Sequence, residues 1–335
     1  MSNIVFSESS GLQDSIYGKC LYPLRLLIEK QSEAFEVQSM LPKLFNMETS
    51  DRFAEQLTGM TSMQGPQPVG EGGNYVTDGF QEGYSSVFQH VTWKDQFETT
   101  EEMVDDNRII QLKKGPAGFT QAWHRTREQF GARLFATAFN KSDTFKINGF
   151  TFSTLGADGV CVFKTSHPSK TGGYTTQSNQ FSDAFSNDAL GAMECAMQDF
   201  RDDNGNILSV SPDTIVIPNI HSLKKAVFAA IGADKDPDTA NNGANYTFGR
   251  WNVIVWPYLN QFITSGTAPW MLMDSTYNKV NYGNAWFDRK KLTINQKIAD
   301  NDNLLTKGKG RWSAGFHDWR AFAVGGISDG TALLS

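Results

Sequence analysis

The chain has 335 residues, 39% hydrophobic and 20% charged, with 24 Phe, 8 Trp and a formal net charge of −6. That is enough apolar bulk to bury a core, in two subdomains, and it excludes a solvating or disordered polymer. The acidic balance excludes a polycation that wraps nucleic acid over its whole surface, while aromatic wealth with little charge suits a chain that buries surface between subunits. Cys20, Cys161 and Cys195 are far apart and odd in number, which predicts buried free thiols rather than a disulfide framework. No basic segment followed by an apolar one opens the sequence, and no run approaches ~18 apolar residues, so neither a secretory signal nor a membrane span is predicted.

Residues 1–58 mix short amphipathic pieces, LYPLRLLIEK and LPKLFNMETSDRFAEQL, and read as an N-terminal arm with one or two short helices and no strong strand signal. From Gly59 to Gly83 the sequence GMTSMQGPQPVGEGGNYVTDGFQEG holds seven glycines and two prolines in 25 residues, where the chain average of 30 in 335 gives about two glycines. Glycine costs backbone entropy and offers nothing to bury, so this stretch builds no core of its own. It is also longer than the roughly 12–15 residues of ordinary unstructured loops. Phe80, Tyr84, Val87, Phe88, Val91 and Trp93 follow with the aromatic and β-branched bias of strands. Segment 59–97 therefore predicts a two-stranded hairpin, about 15 residues per side and roughly 50 Å long at ~3.3 Å per residue. A lone hairpin is marginal in water. We read its support as a neighbouring subunit.

Thr99 and Glu102 have capping-box spacing, and Glu101, Glu102, Asp105 and Asp106 suit the positive end of a helix dipole, a better use for them than a metal site. Lys113, Lys114 and Gly115-Pro116 predict that this helix stops there. A longer helix is predicted over 119–141, with Phe119, Trp123, Phe130, Leu134 and Ala138 on one stripe, widened by Phe135 and Phe139. Arg125, Arg127, Glu128 and Arg133 take its opposite face. A helix of ~34 Å braces a domain from end to end. Short strands and turns fill 142–180, then a helix over 187–202 with Ser186 or Asn187 as N-cap, and a turn at Asp203-Asn204-Gly205. Strand 214–218, helix 221–231, a polar loop 232–246, strands 251–259 and 270–274, and a strand or strand pair over 311–327 complete the chain. Helices and strands mingle without regular βαβ alternation, so the fold class is α+β.

The run Phe163-Lys164-Thr165-Ser166-His167-Pro168, the helix ending in Asp202-Asp203-Asn204-Gly205-Asn206-Ile207-Leu208, and Pro212-Asp213-Thr214-Ile215-Val216-Ile217-Pro218 resemble tailed-phage major capsid proteins, most of all the Mu-like head-subunit type. Trp251-Asn252-Val253-Ile254-Val255 and Trp319-Arg320 fit the same order. The resemblance covers about the last two-thirds of the chain and implies a Hong Kong 97-like capsid fold. It implies an N-terminal arm (1–58), an extended loop (59–97), a peripheral domain (98–204) with spine helix 119–141, an axial domain (205–300) and a return to the peripheral domain (301–335). It also implies self-assembly into pentamers and hexamers of an icosahedral head enclosing double-stranded DNA, in the bacterial host cytoplasm. Scaffolding, portal and decoration proteins are implied partners, with no cofactor, catalysis, metal or membrane. On this resemblance Gly65, Pro66, Gly70, Gly72, Gly73, Tyr75, Phe80 and Tyr84 are expected at subunit contacts, with bending at Gly70 to Gly73, and Asp234, Asp236, Asn241 and Asn242 at the capsomer centre. The start near Met1 implies a separate scaffolding protein or none, and the absence of lysine between Gly59 and Trp93 argues against a lysine crosslink from the loop.

Sites of chemistry are sparse. A phosphate loop would need glycine where Phe163 stands, no nucleophile elbow is present, and Asp234-Lys235-Asp236 lacks the glycine and glutamate of a calcium loop. The five histidines are scattered. Cys161 and His167 form the one alternative, a cytoplasmic enzyme with a glycine-rich lid, but no third catalytic or metal partner stands at a suitable spacing. Arg289, Lys290 and Lys291, then Lys307, Lys309 and Arg311, are basic patches expected to make weak, non-specific contact with packaged DNA or to pair with acidic segments of neighbours.

Overall fold

The computed structural model describes residues 18–61, 63, 65–106, 109–235 and 244–333. In chain order these form α1 (Gly18–Gln38), α2 (Leu41–Leu44), β1 (Asn46–Thr49), β2 (Ala54–Met60), β3 (Glu82–Gln89), β4 (Val91–Thr99), α3 (Glu101–Asp105), α4 (Ile109–Phe139), β5 (Thr144–Ile147) and β6 (Phe150–Ser153). There follow α5 (Asn187–Gln198), β7 (Thr214–Pro218), α6 (His221–Gly232), β8 (Asn252–Trp256), β9 (Trp270–Met273), α7 (Ser275–Asn281), β10 (Asn284–Ile298), β11 (Leu304–Phe316) and β12 (Phe322–Gly325). Among the described residues no helix is long and apolar enough to cross a membrane.

One four-stranded sheet has the order β1-β10-β11-β4. Alternation along β11 turns Leu304, Thr306, Gly308, Gly310 and Trp312 inward, all buried, and leaves Lys307 and Lys309 outside. Glycine is required at two of the inward places: a Cβ on Gly308 would collide with the Phe119 ring, and one on Gly310 would come within 2.6 Å of Trp123. The sheet thus lies directly on α4. The stripe Phe119, Trp123, Phe130, Leu134, Phe135, Ala138 and Phe139 is buried as its spacing predicts. Around it Trp93 stacks on Trp312 at 4.7 Å, and Phe130 meets Trp286 edge-on at 5.7 Å.

At 31 residues α4 is longer than expected and runs through Pro116. A proline inside a helix forfeits one backbone hydrogen bond. Here Pro116 is buried and Gly115 lies against the Phe97 ring, so packing offsets that loss. Glu128 also departs from its expected solvated face. It is buried and accepts from the Ser39 hydroxyl, the Met40 amide at 2.9 Å and the Trp256 indole at 3.0 Å, tying the N-terminal segment to the body. Two further corrections concern residues 46–60, which contain β1 and β2 where no strand was expected, and Cys195, which is exposed on α5. α5 begins at the predicted Ser186 cap, whose hydroxyl accepts from the Ala189 amide at 3.0 Å. It ends at Gln198 rather than 202, and just beyond, the Asp202 carboxylate captures the amides of Asn204 (3.0 Å) and Asn206 (2.7 Å) to build the turn there.

The second four-stranded sheet has the order β12-β9-β7-β8. All five residues of β7 and all four of β9 are buried, the continuous apolar run of strands covered on both faces. α6 makes the crossover between the parallel pair β7 and β8. The apolar core runs without a break from α4 through both sheets.

Candidate functional site

β2 and β3 pair from Ala54↔Gln89 to Met60↔Glu82, and the described residues between them, 61, 63 and 65–81, belong to no helix or strand and form a long, largely exposed loop. Its polar ties are local: the Thr61 amide donates to Gln81 O at 2.9 Å, and Asp78 accepts from the amides of Gly65 (2.9 Å) and Gly79 (2.8 Å). Gly72 takes φ +75°, the left-handed region that favours glycine, and the Gly73 amide closes a turn on Gly70 O at 2.9 Å. Tyr75 is fully exposed, and Phe80, Val69 and Met63 are each more than half exposed. Gly65 is half-buried, while Pro66, Gly70, Gly72 and Gly73 lie open on this projection. Tyr84 differs, since its half-buried ring lies under the Lys170 ammonium at 5.6 Å within its own chain. The paired strands are about half as long as sequence patterning suggests. Residues 91–99 leave the hairpin because Trp93 and Phe97 find buried partners, Trp312 and Phe119, in the body.

The base of the hairpin is clasped. Phe88 packs on Phe287 at 5.7 Å and fills the space left by Gly315. Ser86 Oγ meets His317 Nδ1 at 2.7 Å, and His90 bridges Ser50 and Ser313, each at 2.9 Å. Burial pushes both histidines below their ordinary range; the Arg311 charge adds to this at His90, and Asp318 partly opposes it at His317. Neutral rings fit these hydroxyl partners. The Lys170 ammonium donates to Gly83 O at 2.5 Å. Nearby, Arg320 is held by Asp203 (3.2 Å) and Asp318 (3.3 Å) over the Trp319 ring. Burial works against the Arg320 charge, but Asp318 and its other neighbours more than restore it.

The two basic patches converge on the outer face of the first sheet. Register sets Arg311 across from Lys290, and Lys309 between Thr293 and Lys94. Lys290, Lys291, Lys307 and Lys309 are exposed. Arg311 is half-buried above the Phe53 ring at 5.8 Å, and Arg289 turns away to Asp51 at 2.9 Å. Sequence reasoning missed Lys94 and Lys297, which share this face; the alternation in TWKDQFET would have supplied the first. Of the residues expected at the capsomer centre, Asp234 is exposed at the end of α6, while Asp236, Asn241 and Asn242 lie outside the described residues.

Cys161 and His167 are not brought together as nucleophile and base. The Cys161 thiol faces Thr154 Oγ1 (3.8 Å) and the Ala138 carbonyl (3.9 Å), and burial pushes its pKa up. His167 spends Nδ1 on Asp158 (2.6 Å) and Nε2 on Asn179 (3.1 Å), stacked on Trp319.

The described residues thus form a body with a large apolar core, a small second cluster of Phe88, Ala285 and Phe287 at the base of the hairpin, and an arm of exposed aromatic and aliphatic side chains. The chain belongs to the phage capsid protein family, whose model matches residues 83–325. Its fold is similar to that of a solved chain from Mycobacterium phage Patience, with 11% identity, a TM-score of 0.51, and 98% of this chain and 92% of that chain covered. It is also similar to a chain from the head structure of Helicobacter pylori bacteriophage KHP40, with 8% identity, a TM-score of 0.50, and coverages of 84% and 87%. No curated protein matches the chain. The protein is therefore a capsid protein, a structural component of a phage head.

Proposed function

We propose that the chain forms pentamers and hexamers of that head in a Hong Kong 97-like arrangement, with the shell closed around double-stranded DNA. The observation that carries this reading is the hairpin loop, whose Tyr75 is fully exposed and whose described residues 65–81 include none that is buried. Such a segment gains stability by lying across a neighbour, where obligate interfaces bury thousands of Å². On this reading α4 is the spine of the peripheral domain, the sheet containing β7 and β9 belongs to the axial domain, and the loop bends at Gly70 to Gly73 between five-fold and six-fold settings. The role is mechanical rather than enzymatic. Assembly takes place in the host cytoplasm, with portal and scaffolding proteins as partners of the growing shell.

Sedimentation and negative-stain microscopy of the expressed chain test this. Shells, tubes or hexamers are expected. A stable monomer or dimer, even beside a scaffolding protein, would refute it.

A further inference from the structure

We propose that the cleft between the N-terminal helices and α4 is a binding site for a small carboxylate with an apolar body. The cleft has a volume of about 480 Å³ and lies where the end of α1, α2, β1, α4 and the end of β8 meet. Small-ligand sites commonly span roughly 300–1,000 Å³. Phe35, Met40, Pro42, Met47, Trp256 and Tyr258 supply its apolar wall. Arg127 supplies a largely buried charge. Its side chain is 12% exposed, and its guanidinium lies over the Trp286 and Trp312 rings at 5.1 and 5.4 Å. An arginine has about five N–H donors. Among the described residues those of Arg127 have one hydrogen-bond partner, Asp288 at 2.9 Å.

The unspent charge around the cleft is positive. Its buried acids already have donors: Glu128 accepts from Ser39, Met40 and Trp256, and Asp288 accepts from Arg127 and, at 3.0 Å, from the Trp286 indole. Glu48 accepts from the Tyr282 hydroxyl at 2.6 Å. That leaves Glu36, exposed at the rim. Against it stand the remaining N–H groups of Arg127 and the exposed Arg125 and Lys291, which have no ion pair among the described residues. A cation or a neutral apolar molecule leaves these donors unmet. A nucleic-acid phosphate would reach the rim cations but leave the apolar wall in water. A carboxylate on an apolar body meets both, since the guanidinium fork offers paired donors to carboxylate oxygens. Held by Asp288 beside two indole rings, Arg127 is already fixed in place and loses little freedom on binding. The bound acid would touch the N-terminal segment on one side and α4 on the other, and so fasten that segment to the body.

The probe is decanoate, with decyltrimethylammonium as the same chain carrying the opposite charge. Binding to the full-length protein is read by calorimetric titration, and folding by thermal melts. Wild type is expected to bind decanoate saturably below about 1 mM, to melt higher as decanoate rises, and to slow amide exchange over residues 35–44. Decyltrimethylammonium should bind at least about tenfold more weakly. Arg125→Gln/Lys291→Gln removes two exposed charges and should weaken decanoate about tenfold. Thr49→Trp, at an exposed position lining the cleft, should abolish binding without lowering the melting temperature. Arg127→Lys keeps a cation beside Asp288 but loses the fork, and should also weaken decanoate about tenfold. If that variant fails to fold, the exposed pair is read in its place. A folded wild-type chain without saturable decanoate binding, equal binding of the two probes, or unchanged binding in the folded variants overturns the site. Binding by free subunits that vanishes in assembled shells makes a neighbouring copy the occupant and overturns it too.

Discussion

Ser86 of the hairpin and His317 of the body share a hydrogen bond of 2.7 Å across 231 positions of sequence. Together with the bridge from His90 to Ser50 and Ser313, it fixes where the hairpin leaves the body. Ser86→Ala is expected to cost about 1 kcal/mol, the net worth of one hydrogen bond. The effect should be local: amide exchange across β2 and β3 speeds up while α4 keeps its protection. Unchanged exchange in the hairpin would remove the clasp from the account.

Gly308→Ala and Gly310→Ala are expected to destabilise the fold by about 1–3 kcal/mol each, because a Cβ at either place drives into Phe119 or Trp123. Gly70→Ala is the contrast, since a Cβ there meets nothing within 4 Å. Its melting temperature should match wild type, and any defect should surface only in shell closure. Equal melting temperatures for all three variants would contradict the close contact between β11 and α4.

Acid should loosen the N-terminal helix. His124 bonds Ser32 Oγ at 2.9 Å and stacks on Phe35, and burial, aided by the Arg127 charge, lowers its pKa from 6.5 to about 4. The folded state thus binds fewer protons than the unfolded state between these values. Stability is fully present above about pH 6.5 and is lost as pH falls toward 4. Allowing for the half-exposed ring, the loss is about 1–2 kcal/mol from this group. Melting temperature against pH, in wild type and His124→Gln, checks the slope, which the variant should flatten.

Arg320→Met is expected to cost about 3–5 kcal/mol, because it leaves the largely buried Asp203 and Asp318 carboxylates without the cation they share. Arg320→Lys should recover only part of this. A lysine ammonium cannot reproduce the planar fork that reaches Asp203, Asp318 and the Tyr174 hydroxyl together. Denaturant melts of the two variants decide it, and a Lys variant as stable as wild type would show that charge alone suffices.

Local pattern by itself determined the elements whose burial follows a simple period. The stripe of α4, the Ser186 cap and the apolar runs of β7 and β9 were legible because each depends on residues three or four apart, or on two covered faces. The glycine-rich projection was legible for the opposite reason: nothing in it can pack. Tertiary structure alone decided what depends on distant partners. α4 continues through Pro116 where the neighbouring Gly115 packs on the Phe97 ring, and Glu128 is buried because Ser39, Met40 and Trp256 all reach it. β10 escaped notice because register shifts between Asp288 and Thr293 break its alternation. The basic face had the same origin. Lys94, Lys290 and Lys309 are scattered in sequence, and only the pairing of three strands, which sets the side chains of facing residues on one side of the sheet, turns them into a single surface.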